Sequence, residues 1–295
     1  MTTIGFVGVG TMGGPMARNL VKGDFQVRVF DIDAARTNAL VEAGAQGAGS
    51  PKDAATDAEM VITMLPNGPH VQQAVFGRDG IAEGIGRDAL YIDMSTIAPA
   101  VTDQVGKELR ERGISAIDAP VGMGAPQAAE GKLLIMVGGS EADLTRAMPA
   151  LEKMGETIIH CGAFGMGVRM KVVNNYLSTA LCAMTAETVA LAEACGFDPQ
   201  LAVKVMMGTV AGKGHLGVTF PNKVLKGDLT PGFMVDLAHK DLGLALELAA
   251  GYNVPLATGA AAHQIYAIAR AQGRGRQDQT CLLDTIRSLG GKGTS

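Results

Sequence analysis

Tryptophan is absent from this chain and aromatic residues make up only 4% of it, so its cores must be built from Ala, Val, Leu, Ile and Met. The 4 cysteines, Cys161, Cys182, Cys195 and Cys281, show neither the density of a disulfide framework nor a C-x-x-C spacing. They read as small buried hydrophobes in a reducing compartment. An excess of one charge is missing too. The 25 Lys+Arg stand against 29 Asp+Glu, a net charge of −4 spread without long runs, which removes the electrostatic footprint of nucleic-acid or anionic-membrane binding. His70, His160, His215, His239 and His263 show no ligand spacing, so metal catalysis finds no support. No apolar run reaches membrane-spanning length. The N-terminus enters a strand-like run directly, without the basic, apolar and cleavage-site succession of a leader. A soluble, cytoplasmic protein is expected. Internal repeats and low-complexity segments are absent as well.

What is present is 47% hydrophobic residues over 295 positions, enough for two domains. Thr3–Val9 is a short apolar β-rich run that leads into Gly8-x-Gly10-x-x-Gly13, then a helical pattern, then a second strand, Gln26–Phe30, ending at Asp31. Strand, glycine turn, helix, strand and acidic residue in that order are the context of a dinucleotide fingerprint. Gly8 permits the turn, Gly10 admits the pyrophosphate to the backbone, and Gly13 lets the helix pack on the strand. The helix N-terminus then faces the phosphates. Asp31 would accept the ribose hydroxyls and repel a 2′-phosphate, favouring NAD over NADP, with Arg36 close enough to blur the preference. Helix and strand patterns alternate onward, as in a parallel sheet covered on both faces. Met60–Leu65 ends in Pro66, Leu90–Met94 ends in Ser95-Thr96, and Ala116–Ile117 runs into Asp118 and the turn Gly122-Met123-Gly124. Leu133–Val137 and Thr157–His160 are the last strands. Ligands bind at the carboxyl ends of such strands, so Leu65-Pro66, Ser95-Thr96 and Gly122–Gly124 should line one crevice.

Alternation stops near Gly162. Gly167–Ala194 is long enough, and free enough of interior Gly and Pro, to read as one helix of roughly 40 Å. Its nearly all-round apolar character suggests burial between two bodies. Lys171, Asn174, Asn175 and Ser178 share one face over two turns and read as the floor of a polar cleft. A lysine in a partly dry cleft has its pKa lowered toward the working range, which suits it to deliver or remove the proton at a carbonyl oxygen. Gly212-Lys213-Gly214-His215 reads as a flexible basic loop. Helices are expected over Phe233–Ala249, Pro255–Gln272 and Thr280–Ser288, and a frayed end over Gly291–Ser295. The fold expected is α/β: an N-terminal Rossmann dinucleotide-binding domain, 1–163, and an all-α substrate and oligomerisation domain, 164–295, joined by a long interdomain helix.

Phe6-Val7-Gly8-Val9-Gly10-Thr11-Met12-Gly13, Asp118–Gly124, Gly167-x-x-x-Lys171-x-x-Asn174-Asn175 and Lys240-Asp241 together resemble the β-hydroxyacid dehydrogenase family, over nearly the whole chain. Ile62–Gly68, Ile92–Ile97, Ala211–His215, Phe220–Leu246 and Gly273–Asp278 look closest to its sulfolactaldehyde-reducing branch. The resemblance implies an NADH-dependent reductase of a small anionic aldehyde, 3-sulfolactaldehyde first. Lys171 would be general acid and base, Asn175 would orient substrate, and Lys240 would lie near the nicotinamide. Gly8, Gly10, Thr11, Met12, Gly13, Asp31, Leu65, Pro66 and Thr96 would hold the cofactor. Gly122, Met123, Gly124, Asn174, Asn175 and Ser178 would hold substrate. Most of the family has Ser-Gly-Gly where this chain has Gly122-Met123-Gly124, and the sulfolactaldehyde branch has an arginine after the first glycine. Met123 cannot grip a sulfonate, so the charge must come from Lys213, His215, Arg169 or backbone N–H groups, with Lys213 the most mobile of these.

Rival readings are 3-hydroxyisobutyrate dehydrogenase, tartronate or succinic semialdehyde reductase, and a non-catalytic NAD-binding sensor. The sensor would have no use for an intact Lys171–Asn175 face. Imine reductases share the architecture but typically lack the lysine. The apolar helical half predicts a homodimer or homotetramer.

Overall fold

Strand β1 (Thr3–Val7) runs through the middle of a sheet because its residues are apolar toward both faces. Parallel to it lie β2 (Gln26–Phe30) on one side and β4 (Met60–Thr63) on the other. The short β3 (Gln46–Gly47) extends the β2 edge, and β5 (Leu90–Asp93) and β6 (Ser115–Asp118) extend the other side. Alternate residues feed two separate cores. Ile4, Phe6, Ile62 and Ile92 point into one, Val7, Val61 and Tyr91 into the other. Helices α1 (Gly13–Lys22), α2 (Ala34–Val41), α3 (Pro51–Ala55), α4 (Gly68–Phe76), α5 (Ile81–Gly84), α6 (Pro99–Glu111), α7 (Ala125–Glu130) and α8 (Glu141–Met154) connect the strands. Helix α1 buries Gly13, Met16, Ala17 and Leu20, the i, i+3, i+4, i+7 stripe of a helix laid on a sheet.

The sheet is not wholly parallel as expected. β8 (Leu133–Gly138) runs antiparallel to β6 and to the short β7 (Val121–Gly122), and β9 (Gly155–Gly162) then pairs parallel with β8. Between β7 and β8 stands only the six-residue α7, too little chain for a parallel crossover, so the strand returns directly. The strand order is β3-β2-β1-β4-β5-β6-β8-β7, with β9 on β8.

Helix α9 (Met166–Ala194) follows. This computed structural model describes residues 1–290, so the expected frayed end, Gly291–Ser295, lies outside the described residues. Two compact units, Met1–Tyr176 and Leu177–Ser295, divide within α9. The second unit is helical: α10 (Pro199–Met207), α11 (Val210–Lys213), α12 (His215–Val218), α13 (Val235–Gly251), α14 (Ala257–Ala271) and α15 (Leu282–Leu289), with short 3₁₀ turns between. Its buried cluster is small, Val235, Ala269 and Cys281 backed by Leu229, Tyr266 and Leu282. Polar fasteners supplement it. Asp278 accepts the N–H groups of Gly232, Phe233 and Thr280, and Glu187 accepts those of Thr258 and Gly259 at the start of α14.

Three expectations are corrected. Helix α9 is not buried all round: Gly167 and Val168 alone are buried, and Val173 and Tyr176 are 64% and 75% exposed, because only its first turn meets the sheet. The 212–215 segment is not a loop. Lys213 ends α11 and His215 begins α12, with Gly214 at φ +78 making the corner between them. Of the cysteines, Cys281 is buried, Cys161 and Cys195 are half-buried, and Cys182 is exposed because it lies on the uncovered part of α9.

Candidate active site

The glycine turn after β1 is shaped by steric need. A Cβ on Gly8, at φ +93, would run into the carbonyl of Met64 and, at 2.6 Å, into Leu65 Cδ2. One on Gly13 would strike the carbonyl of Gly8 and, at 3.1 Å, the Phe6 ring. Gly10 differs: a Cβ there would meet only Arg36 Nη1, at 3.2 Å, so this side of the turn is open to a ligand. Thr11 is exposed, Met12 half-buried, and α1 begins at Gly13 without a side-chain cap. Gly14 N–H donates to the Gly10 carbonyl at 2.8 Å and Met16 N–H to that of Met12 at 3.4 Å, and Pro15 has no N–H, so what α1 offers a dinucleotide pyrophosphate is chiefly its dipole.

Asp31 stands beside that turn. One carboxylate oxygen accepts Val9 N–H and the other Asp33 N–H, each at 2.9 Å, with the side chain only 6% exposed. Each oxygen keeps a lone pair for a hydroxyl donor. Arg36, which could have favoured a 2′-phosphate, is engaged with acids: its Nη1 is 3.8 Å from Asp31 and its Nε 3.3 Å from Asp33.

The turn continues into the strand ends. Leu65, already against Gly8, donates its N–H to Ser95 Oγ at 2.9 Å. Pro66 next to it is exposed, as is Thr96 between buried Ser95 and Ile97. Gly8, Leu65, Ser95 and Thr96 thus form a continuous rim that joins the glycine turn to two of the strand ends expected at the cofactor, whereas Lys240, also expected there, belongs to the second unit.

Gly122 ends β7 and packs on β8, where its Cβ position would be 3.8 Å from Met136 Cε. Gly167, in the first turn of α9, abuts the carbonyl of the same Met136. The substrate turn and the helix start therefore flank one strand residue. Met123 has φ +74 and is 65% exposed, a left-handed backbone imposed on a side chain that strains it. The N–H of Gly124 donates to Gln127 Oε1 at 3.3 Å, so an anion here would share or replace that long bond.

Lys171 lies four residues after Gly167, hence on the same helix face. It is half-buried, and desolvation pushes its ammonium below the ordinary lysine range. Asn175 is half-buried and Asn174 exposed; Asn174 Nδ2 donates to Asn175 Oδ1 at 3.4 Å. Arg169 is removed as a substrate cation: its guanidinium forks onto both oxygens of Asp103, at 3.0 and 2.6 Å. In the second unit, Ser178 and Lys213 are exposed, His215 Nδ1 is 2.8 Å from Thr219 Oγ1, and Lys240 pairs with Asp241 at 2.9 Å. Sequence reasoning placed Ser95 at the crevice but missed Asp93 and Thr63 and the bonds that join them to it. Their signal was a polar residue in or just after an otherwise apolar buried strand, easily passed over as a strand terminus.

Residues 3–162 match the family model for the NAD-binding domain of 6-phosphogluconate dehydrogenase, and residues 165–286 the model for the NAD-binding region of NADP-dependent 3-hydroxyisobutyrate dehydrogenase. The chain is 49% identical over 291 residues to 3-sulfolactaldehyde reductase of Escherichia coli (strain K12), covering 99% of this chain and 98% of that protein. It resembles the solved 3-hydroxyisobutyrate dehydrogenase of Mycobacterium tuberculosis with L-serine, at 35% identity and TM-score 0.68, over 97% of this chain and 99% of the other. The V8 variant of the imine reductase of Myxococcus stipitatus, in complex with NAD+, shares the fold at 17% identity and TM-score 0.88, over 97% of this chain and 99% of the other.

Proposed function

This chain belongs to the 3-hydroxyisobutyrate dehydrogenase-like family of β-hydroxyacid dehydrogenases, and on that premise we propose that it reduces a small anionic aldehyde to the alcohol with NADH, 3-sulfolactaldehyde being the first candidate. It is an oxidoreductase that uses a nicotinamide dinucleotide. Residues 1–163 are assigned to the cofactor and 164–295 to substrate binding and assembly. When bound, the nicotinamide supplies the hydride. The chain's own residues do the rest.

Lys171 carries the reading. As an ammonium it stabilises the oxygen that gains charge and then delivers the proton; in the oxidative direction its neutral amine removes that proton. Desolvation narrows the gap between the two forms. Asn175 orients the substrate by neutral hydrogen bonds, which leave Lys171 free of the ion pair a carboxylate would impose, and Asn174 and Ser178 supplement it. Thr11, Met12, Pro66, Thr96 and Lys240 are assigned to the cofactor. Asp31, with its oxygens oriented by two backbone N–H groups and Arg36 neutralised by acids, supports NADH over NADPH.

The 49%-identical relative supports a sulfonate substrate. With Arg169 paired to Asp103, Lys213 is the proposed countercharge, since it makes no ion pair among the described residues. Met123 favours the second reading, a carboxylate semialdehyde or 3-hydroxyisobutyrate held by the Gly122–Gly124 turn. Homo-oligomerisation is supported by the second unit's small core and by exposed Val173, Tyr176 and Leu181 on α9. Light scattering should give two or four times 30.4 kDa, and the monomer mass would refute the assembly.

The test is Lys171→Ala assayed with sulfolactaldehyde and the carboxylate semialdehydes, using NADH and NADPH in turn. The expected loss in kcat is on the order of 10²–10⁴, with cofactor affinity retained. A variant keeping more than about a tenth of the wild-type kcat would sink the assignment.

A further inference from the structure

Asp93 and Asp118 are the last residues of neighbouring strands and face each other in register. They are 3% and 1% exposed, and neither is used in the chemistry described above. Each is occupied by hydrogen bonds, and the two sets of bonds run in opposite directions.

Asp93 serves the cofactor side. Its Oδ1 accepts from Thr63 Oγ1 at 2.9 Å and from the Ser95 N–H at 3.0 Å. Thr63 has a single hydroxyl hydrogen, so with that given to Asp93 the Tyr91 hydroxyl, 2.8 Å away, must be the donor to Thr63. Ser95 passes the connection on by accepting Leu65 N–H. The chain Tyr91, Thr63, Asp93, Ser95, Leu65 ties the end of β4 to the end of β5, directly beneath Pro66 and Thr96.

Asp118 serves the helix side. Its two oxygens accept the N–H groups of Gly165 and Val168, each at 2.6 Å, at the beginning of α9. Gly138 and Gly167 close around the carboxylate so tightly that a Cβ on either would collide with it or with neighbouring carbonyls. One residue on, the Arg169 fork to Asp103 holds the same turn to α6. Lys171 is the next residue on the face that Asp118 and Gly167 anchor.

We propose that Asp93 and Asp118 are positioning residues that divide the site between them, Asp93 setting the strand-end rim for the cofactor and Asp118 setting the helix turn that carries Lys171. The proposal rests on Lys171 as proton donor and on that rim as the cofactor's seat. A stability argument supports it. Burial raises both carboxyl groups, Asp93 to about 6 with Asp118 adding to it, so the buried charges oppose folding compared with neutral groups of the same shape. Groups that cost stability and lie against a site are explained by what they orient.

The two arms separate in kinetics. Ser95→Ala and Asp93→Ala should raise the Kd for NADH about fivefold or more, with kcat at saturating cofactor within about twofold of wild type. Asp93→Asn, which retains an acceptor for Thr63 and Ser95, should restore most of the affinity. Asp118→Asn leaves one of the two helix N–H groups facing an amide donor; it should lower kcat about tenfold or more with Kd for NADH unchanged. If Asp118→Asn does not fold, Asp103→Asn loosens the same turn from the surface and should lower kcat by about threefold, again with Kd unchanged. Folded variants that leave both parameters within twofold would overturn the proposal, as would variants of either arm that shift Kd and kcat alike. An active Lys171→Ala would instead overturn the reading beneath it.

Discussion

Replacing Asp93 by asparagine should stabilise the fold at neutral pH, by an amount that grows with pH. The carboxyl group is buried on β5, and burial, with Asp118 adding to it, lifts its pKa from 3.8 to about 6. A rise of that size corresponds to about 3 kcal/mol. The sign follows from proton counting. Between the ordinary carboxylate range and about pH 6, the folded chain still holds a proton that the unfolded chain has released, so stability falls as pH rises through this window and levels off above it. Asparagine does not ionise and escapes that loss while keeping the Oδ1 acceptor. Two other titratable groups face the site. Tyr91, raised well above 10 mainly by burial, stays neutral throughout, whereas Asp118, also raised mainly by burial, titrates in both proteins. Denaturant unfolding of wild type and variant at about pH 4.5, 6 and 7.5 gives the difference directly. The variant's advantage should widen with pH toward about 3 kcal/mol. A difference flat to within about 0.5 kcal/mol, or one that shrinks as pH rises, would refute the reasoning.

Met123→Gly should raise stability by about 1 kcal/mol, read as a higher Tm, because glycine accepts the left-handed backbone without strain and the methionine is too exposed to contribute much packing; an unchanged or lower Tm would show that the side chain contributes more than it strains. Asp31→Ala should narrow the preference for NADH over NADPH in kcat/KM, and a wild-type enzyme preferring NADPH would show that the end of β2 has been misread. In the oxidative direction kcat should rise with pH and level off below 10.5, since burial lowers the Lys171 pKa and the neutral amine is the base; a Lys171→Arg variant that kept the same rise would assign it to another group.

The fold class was legible because its signals are local. The glycine turn, the apolar runs and Asp31 lie close together in the chain, and the i, i+3, i+4 stripe of α1 needs only one helix to be read. The antiparallel turn at β8 was not legible, because it depends on how little chain lies between β7 and β8 rather than on any residue type. Lys171 stood out because Asn174, Asn175 and Ser178 share its face on an otherwise apolar helix. Arg169, two residues earlier, looked equally available, and only the tertiary contact with Asp103 takes it away. The link from Asp93 through Ser95 to Leu65 joins two strands 30 residues apart in sequence, a distance at which pattern reading carries no information. The exposure of α9 marks the opposite case. Its apolar composition was read correctly, but composition alone does not say which surface will cover it.

The bonds from Asp118 to Gly165 and Val168 also bear on where this chain can be cut. A fragment stopped at the last strand, β9, would retain the carboxylate and discard both of its N–H partners, leaving an enclosed acid to recruit water or take up a proton. Such a fragment should express poorly even though every strand of the sheet is present. One carried through Tyr176 keeps the first turns of α9 as a plug over the sheet. The shortest fragment expected to bind the cofactor therefore reaches into a helix that lies within the second matched region, 165–286.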